Sequence, residues 1–454
     1  MISSGQQEPK TRPHTTDLGN AQRFARRHSR SLRYCWPWRK WLVWDGRRWT
    51  IDDDAEVMRM AKDTVRSIYR EAANTQNDQE RQSLTKHART SEDARRIRAM
   101  IDLARSEDGI PIEPAALDSN SWMLNCRNGT VDLQTGEMRS HEPSSYITKL
   151  APVAYDPTAE CPTWIAFLDR IFDANTDLIA FTQRLLGYCL TGDVSEQVLP
   201  ILWGTGANGK STMLGAVMET LGEDYAIKAA PELVMMKRDA HPTERADLFG
   251  KRVVACIETE GGRRLAETMV KELTGSDIIR ARRMREDHWQ FNPTHKILLA
   301  TNHKPEIRGT DHAIWRRIRL LPFEVTIPDD QRDRRMPERL RREMPGILAW
   351  CVRGCLDWQE HGLGTPDEVR QATSDYRDQQ DVLGAFISDR CITHPDAKSK
   401  ASELYKAYMA WCVDANEKPT TLQLFGEAMT AKGYRVEKRG IKWRLGIGLR
   451  TDAE

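Results

Sequence analysis

The chain has 454 residues, 39% hydrophobic and 30% charged, and a formal net charge of +2. That length and apolar content suit about three globular domains, and no apolar run approaches the roughly 18–20 residues of a membrane span. Bulk charge predicts no polyanionic partner, so any such contact has to come from local patches.

The first residues, "MISSGQQEPKTRPHTTD", are polar and lack the apolar core of a secretory signal, so 1–16 reads as a flexible leader. Between 17 and 50 lie Trp36, Trp38, Trp41, Trp44 and Trp49, and "WLVWDGRRW" reads as two strands around an Asp-Gly turn. Arg33, Arg39, Lys40, Arg47 and Arg48 are interleaved with these rings. That pattern could stack on bases, but an aromatic-packed hairpin is the simpler reading. Asp52, Asp53 and Asp54 precede a long helix-forming stretch and read as its cap and dipole complement.

Residues 118–150 carry short strand patterns with Asn-Gly and Thr-Gly turns, "YDPTAECP" marks a break, and two helical segments follow. From Val198 to Phe323 strands, loops and helices alternate, which is the α/β signature. "VLPILWG", "KRVVACIE" and "HKILLATN" have the length and apolarity of strands buried on both faces. Helix then returns, a linker is expected near "GTPDEV", and 376–454 reads as helices with a terminal hairpin, a winged-helix-like module. The expected divisions are 1–16, 17–160 (α+β), 161–330 (the α/β core with its preceding helices), 331–375 and 376–454.

Nine cysteines are scattered from Cys35 to Cys412 without CxxC spacing. They read as buried thiols of a cytoplasmic protein rather than a metal or disulfide framework. The mixed charges between Gln331 and Met344 read as a solvated helix face.

The strongest chemical signal is "GTGANGKST". Gly204, Gly209, Lys210 and Ser211 fit G-x-x-x-x-G-K-[ST], with a strand before and a helix after. Such a loop, here Gly204, Thr205, Gly206, Ala207, Asn208 and Gly209, turns backbone N–H groups and a helix N-terminus toward phosphates. Lys210 can neutralise β/γ oxygens, and Ser211, followed by Thr212, can place a hydroxyl on Mg²⁺. The cofactors expected are therefore ATP and Mg²⁺. Glu258 and Glu260 end the next apolar run, where a carboxylate can hold a metal's water shell or polarise water. Asn302 ends a third and can orient that water. Arg316 and Arg317 precede a further apolar run; either can stabilise a phosphoryl-transfer transition state from a neighbouring subunit, or serve as a salt-bridge partner.

Together "GTGANGKS", "VVACIETE", "KELTGSDIIRARRMREDHWQF", "ILLATN" and "AIWRRIRLLPF" resemble a superfamily 3 helicase. More narrowly, they resemble the helicase part of the phage, plasmid and poxvirus primase–helicases, over roughly 120–450. The resemblance implies a P-loop, AAA+-like core with a parallel sheet, with Gly204–Ser211 as Walker A and Asn302 as the sensor. It implies Arg316 or Arg317 as a finger working across subunits, hence a ring, typically hexameric. Glu258 and Glu260 match the acidic motif with a departure, since Thr259 separates acids that are usually adjacent; base and metal partner (Glu258 with Ser211) are not distinguished. The basic stretch matches a DNA-tracking hairpin, on which Arg282, Arg283, Arg285 and His288 would meet phosphates.

The function expected is an ATP-dependent, ring-forming helicase moving on single-stranded or forked DNA in replication of a phage or other mobile element. The location expected is the cytoplasm, that of the host cell if the chain is phage-encoded. An ATP-regulated origin-binding initiator or loader is the alternative. Priming is not expected of this chain and would fall to a separate primase or polymerase.

Overall fold

A computed structural model describes residues 13–236, 243–258, 260–282, 288–307, 312–415 and 417–450. Most of the expected leader, 1–16, lies outside them. Helix α1 (Asp17–His28) starts at Thr16, whose hydroxyl accepts the Gly19 N–H. Strands β1 (Leu32–Cys35), β2 (Lys40–Trp44) and β3 (Trp49–Ile51) form an antiparallel sheet in that order. The Asp45 carboxylate closes the β2–β3 turn on the N–H groups of Arg47 and Arg48. Trp49 is buried, Trp41 packs between Phe24 and Tyr34, and only Trp36 of the five rings is exposed. The rings make a core. Helices α2 (Glu56–Ala73), α3 (Asp78–Ser91) and α4 (Ala94–Ala104) follow. The Asp52 carboxylate accepts the N–H groups of Glu56 and Val57, so the acidic run does cap α2.

Strands β4 (Met123–Cys126), β5 (Gly129–Asp132) and β6 (Glu137–Arg139) form a second antiparallel sheet. It is knotted to the rest through Asn125, which has no exposed surface. The Asn125 amide donates to the carbonyls of Arg47 and Lys149, both at 2.9 Å, while its backbone N–H donates to the Tyr225 hydroxyl. A buried amide with every group satisfied fixes a unique arrangement. Helices α5 (Pro162–Ile171) and α6 (Thr176–Leu190) come next.

The central layer then forms in chain order. It comprises β7 (Leu199–Trp203), α7 (Lys210–Tyr225), β8 (Ala226–Ala229), α8 (Thr243–Ala246), β9 (Val253–Glu258) and α9 (Glu267–Leu273). The hairpin β10 (Ile279–Arg282) and β11 (His288–Phe291), β12 (Lys296–Thr301), α10 (His312–Trp315) and β13 (Ile318–Pro322) complete it. Five strands make one parallel sheet in the order β13-β7-β12-β9-β8. Alternation splits each strand between two cores: Leu298 and Ala300 face one, Ile297 and Leu299 the other.

Helix α11 (Met336–Arg342) precedes α12 (Met344–His361), which crosses α6 almost backbone to backbone. A Cβ on Gly187 would lie 2.1 Å from the Cys355 nitrogen. The expected linker at "GTPDEV" is brief: α13 (Asp367–Gln380) starts at once and lies along β13, where Thr373 Oγ1 accepts the Leu320 N–H. The boundary expected at 375/376 therefore falls inside a helix. The last module is α14 (Val382–Arg390), β14 (Cys391–Lys400), α15 (Ala401–Asp414), α16 (Leu422–Ala431), β15 (Val436–Arg439) and β16 (Ile441–Leu449), with sheet order β14-β16-β15. All nine cysteines are free and buried. No helix among the described residues is long and apolar enough to cross a membrane.

A candidate nucleotide site at the carboxyl edge of the parallel sheet

The loop Gly204–Gly209 joins the end of β7 to the start of α7, with Gly206, Ala207 and Gly209 at positive φ. In that conformation the N–H groups from Thr205 to Asn208 find no acceptor among the described residues. Gly209 has no room for a side chain, since a Cβ would meet Ile171 Cγ2 at 2.6 Å. Asn208 is buried and tethers the loop: its Nδ2 donates to the Phe323 carbonyl at 3.1 Å. The Ile327 N–H donates to the Ala207 carbonyl at 2.9 Å, so the segment after β13 braces the loop from outside.

Lys210 is buried, and its Nζ donates to Gly204 O at 2.6 Å, Asn208 Oδ1 at 2.8 Å and Asn302 Oδ1 at 3.2 Å. Burial pulls its pKa down to about 8. Asn302 sits one residue past β12 and meets the P-loop lysine directly, because β12 is the strand beside β7. Ser211 is exposed in the first turn of α7 and Thr212 half-buried behind it.

Glu258 ends β9, which is not beside β7: β12 lies between them. The apolar run that follows the phosphate loop in sequence is therefore not its neighbour in the sheet. Glu258 is buried and Glu260 exposed. One Glu258 oxygen accepts the Glu260 N–H at 2.7 Å, and the other pairs with Arg263 Nη1 at 2.8 Å. The same guanidinium pairs with Glu232 at 2.8 Å. Thr259 lies outside the described residues. Each Glu258 oxygen keeps a lone pair, and a hydroxyl such as that of Ser211 or a carboxylate such as that of Glu258 is the kind of oxygen donor a hard cation takes. No group of three or more His, Cys, Asp and Glu side chains among the described residues is placed to hold a metal ion.

Arg316 and Arg317 lie at the opposite edge of the sheet, just before β13. Five residues of parallel strand, roughly 16 Å, separate that edge from the P-loop. Arg316 is exposed and donates to Gln197 Oε1 at 3.1 Å. Arg317 is buried, with Nε on Thr274 Oγ1 and Nη1 on the Ala313 carbonyl. The two are thus unlike: one faces solvent, the other braces α9 against α10.

The basic hairpin exists as β10–β11, with Ile279 opposite Phe291 and Ala281 opposite Trp289. Ile279 and Ala281 are buried while Arg280 and Arg282 point outward. Trp289 and Phe291 anchor it against Phe249. Arg283 and Arg285 lie outside the described residues, as does the His288 side chain.

Three features escaped sequence reasoning. Arg263 carries no motif that would mark it, and Asn208 stands at a position the phosphate-loop pattern leaves open. The third is the grip of α13 on the loop after Asn302. Tyr376 donates its hydroxyl to the Pro305 carbonyl, and Gln380 Oε1 accepts the Ile307 N–H at 2.8 Å. Lys304 lies 4.5 Å from the Trp203 ring centroid.

A D5 N-terminal-like family model matches residues 21–173, and a family of unknown function matches 202–317. The likeness to known proteins thus begins near residue 21, well upstream of the 120 expected. Among curated relatives, the Acanthamoeba polyphaga mimivirus protein provisionally named helicase L207/L206 is 28% identical over 65% of this chain and 33% of its own length. Invertebrate iridescent virus 6 has a protein provisionally named helicase 184R, 24% identical over 79% of this chain and 39% of its own. African swine fever virus has one provisionally named primase C962R, 24% identical over 65% and 34%. The chain thus spans little more than a third of the length of these relatives. Among solved structures, the apo NrS-1 C-terminal region superposes with a TM-score of 0.53 at 8% identity, covering 94% of this chain and 99% of that one, a likeness of fold. With a D5 N-terminal-like region leading into a five-stranded parallel sheet, the chain is related to the primase–helicase family of large DNA viruses.

Proposed function

We propose that the chain is an ATP hydrolase that assembles into a ring, typically of six, and moves along single-stranded DNA during replication of a phage or other mobile element. The observation that carries this reading is the separation within one chain. Lys210 and Asn302 meet at one edge of the sheet, while the exposed Arg316 stands at the other, roughly 16 Å of strand away. An arginine so placed serves a neighbour's nucleotide, not its own.

In this reading the loop N–H groups and Lys210 hold the phosphates, with Lys210 kept by Asn302 in line with the carboxyl edge. Ser211 and Glu258 would hold magnesium, which when bound would supply Lewis-acid polarisation of phosphate oxygens. Glu258 acts as base toward the attacking water, and Arg263 orients it. Glu260 is the outer acid. A cleft of about 640 Å³ lined by Asp169, Arg170, Asp173, Val325 and Ile327 opens beside the loop and gives room for the base. Arg280 and Arg282 on the hairpin carry the contact to DNA phosphates.

The test is ATP hydrolysis against protein concentration, with and without single-stranded DNA. A rate rising faster than linearly and stimulated by DNA supports sites completed between subunits; a linear, DNA-indifferent rate rejects the ring. One observation favours the initiator or loader reading. The C-terminal module runs α14, β14, α15, α16 and then the β15–β16 hairpin, helices followed by a two-stranded wing, which supports a winged-helix reading. Duplex binding without unwinding of a forked substrate would select it.

A further inference from the structure

Arg316 is held at both ends. Its backbone carbonyl accepts Arg319 Nη1 at 2.8 Å, and its own Nη2 donates to Gln197 Oε1 at 3.1 Å. Among the described residues, each of these two side chains is the other's one hydrogen-bond partner. The sheet puts them level. Strands β7 and β13 run parallel with Leu199 opposite Ile318, so two residues back along each chain Gln197 comes opposite Arg316.

Gln197 stands in the loop between α6 and β7 with φ at +49°. That left-handed backbone crowds the Cβ of any L-residue; glycine takes it freely, asparagine and aspartate more readily than most. The loop is fixed from both sides all the same. The Gln197 N–H donates to the Val194 carbonyl at 3.2 Å. The adjoining Glu196 carboxylate accepts Trp358 Nε1 at 2.7 Å and the Leu363 N–H at 3.3 Å. Glycine would suit this backbone better, and what only the glutamine supplies is an amide oxygen at the guanidinium. Strained residues of this kind cluster at working sites. The chemistry of the acceptor fits as well. A neutral amide takes one N–H and leaves the other guanidinium donors and the full charge for an anion. A carboxylate in its place would pair with the arginine and offset that charge.

We propose that Gln197 is a positioning residue for phosphoryl transfer, aiming Arg316 at the nucleotide of the neighbouring subunit. This role rests on the reading of Arg316 as a finger and adds the group that directs it. An exposed arginine left unheld spreads over many rotamers, and the amide confines it before the subunits meet.

The experiment is ATP hydrolysis by the full chain, alone and in mixed assemblies. Gln197→Gly relieves the backbone, while Gln197→Asn tolerates it and ends one methylene short of Arg316. Both should melt no lower than the unaltered chain. Turnover should fall about 10- to 100-fold, up to the cost of an ångström's misplacement, with KM for ATP held, because a finger acts in the transition state. In an Arg316→Ala background the same change should cost nothing further, since no guanidinium remains to be aimed. Gln197→Gly mixed with Lys210→Ala should exceed the sum of the two activities, each chain supplying the edge the other lacks. Mixed with Arg316→Ala it should not. Unchanged turnover in Gln197→Gly overturns the proposal, as does a loss that adds to that of Arg316→Ala. Recovery of Arg316→Ala but not of Gln197→Gly on mixing with Lys210→Ala overturns this role alone. Recovery of neither overturns the finger reading with it.

Discussion

Two lysines, at opposite edges of one sheet, make the instructive comparison. Lys210 and Lys296 are both buried, and each donates to three oxygens. Lys210 meets one loop carbonyl and two side-chain amides, at the edge where backbone N–H groups lack acceptors. Lys296 meets the carbonyls of Thr191, Asp193 and Thr294 and lies 4.9 Å from the Tyr188 ring centroid, sealed on all sides. Its neighbours Arg252 and His295 are buried too. Lys210 can exchange its acceptors for an anion. Lys296 has nowhere to turn and can only hold the chain together.

The largest effect expected across this contrast belongs to Arg316. Arg316→Ala should lower ATP hydrolysis by about 10³–10⁵, and mixing it with Lys210→Ala should restore part of the activity at shared sites. Phosphate release measures both, and no recovery on mixing would break the cross-subunit reading. Lys210→Ala itself should cost about 10²–10³ in rate, the scale of one lost preorganised donor, with the melting temperature nearly unchanged. Glu258→Gln should lose more rate than Glu260→Gln, since only the first acid is buried and fixed by Arg263.

Lys296→Ala should do the opposite. It leaves orphaned carbonyls and a cavity, about 2–3 kcal/mol of stability by denaturant titration, with turnover per folded chain preserved. The same lysine also gives a pH dependence. Burial brings the Lys296 pKa from the ordinary 10.5 to about 7. Between these values the unfolded chain binds more protons, so stability climbs as pH rises from about 7 and is flat below. Lys296→Ala should lack that climb. His295, lowered to about 4 from 6.5 by burial, adds a separate rise in stability between those two values.

Much of the sheet was legible. Runs such as "ILLAT" are apolar at every position because both faces of β12 are covered, and length then separates strand from helix. The P-loop announced itself through glycines whose positive φ and lack of space only glycine accommodates. Strand order was not legible, because a crossover of given length can return to either side of β7. Hence nothing in the sequence told that β12 would lie between β7 and the strand that ends in Glu258. Nor could Arg316 be told from Arg317: adjacent residues leading into a strand point opposite ways, and only the positions of Thr274 and Gln197 decide which is covered. Strand β8, "AIKA", is too short and too mixed to stand out from its surroundings.

The grip of α13 on the loop after Asn302 bears on how the molecule can be cut. Tyr376 and Gln380 hold that loop, and Val382 already begins the C-terminal module. A chain ended at 375 would keep every motif of the nucleotide site yet lose the props beneath Asn302. One ended at 381 would retain them. Activity measured on the two fragments would differ for a reason that has nothing to do with what the C-terminal module binds, and a missing scaffold would pass for a missing domain.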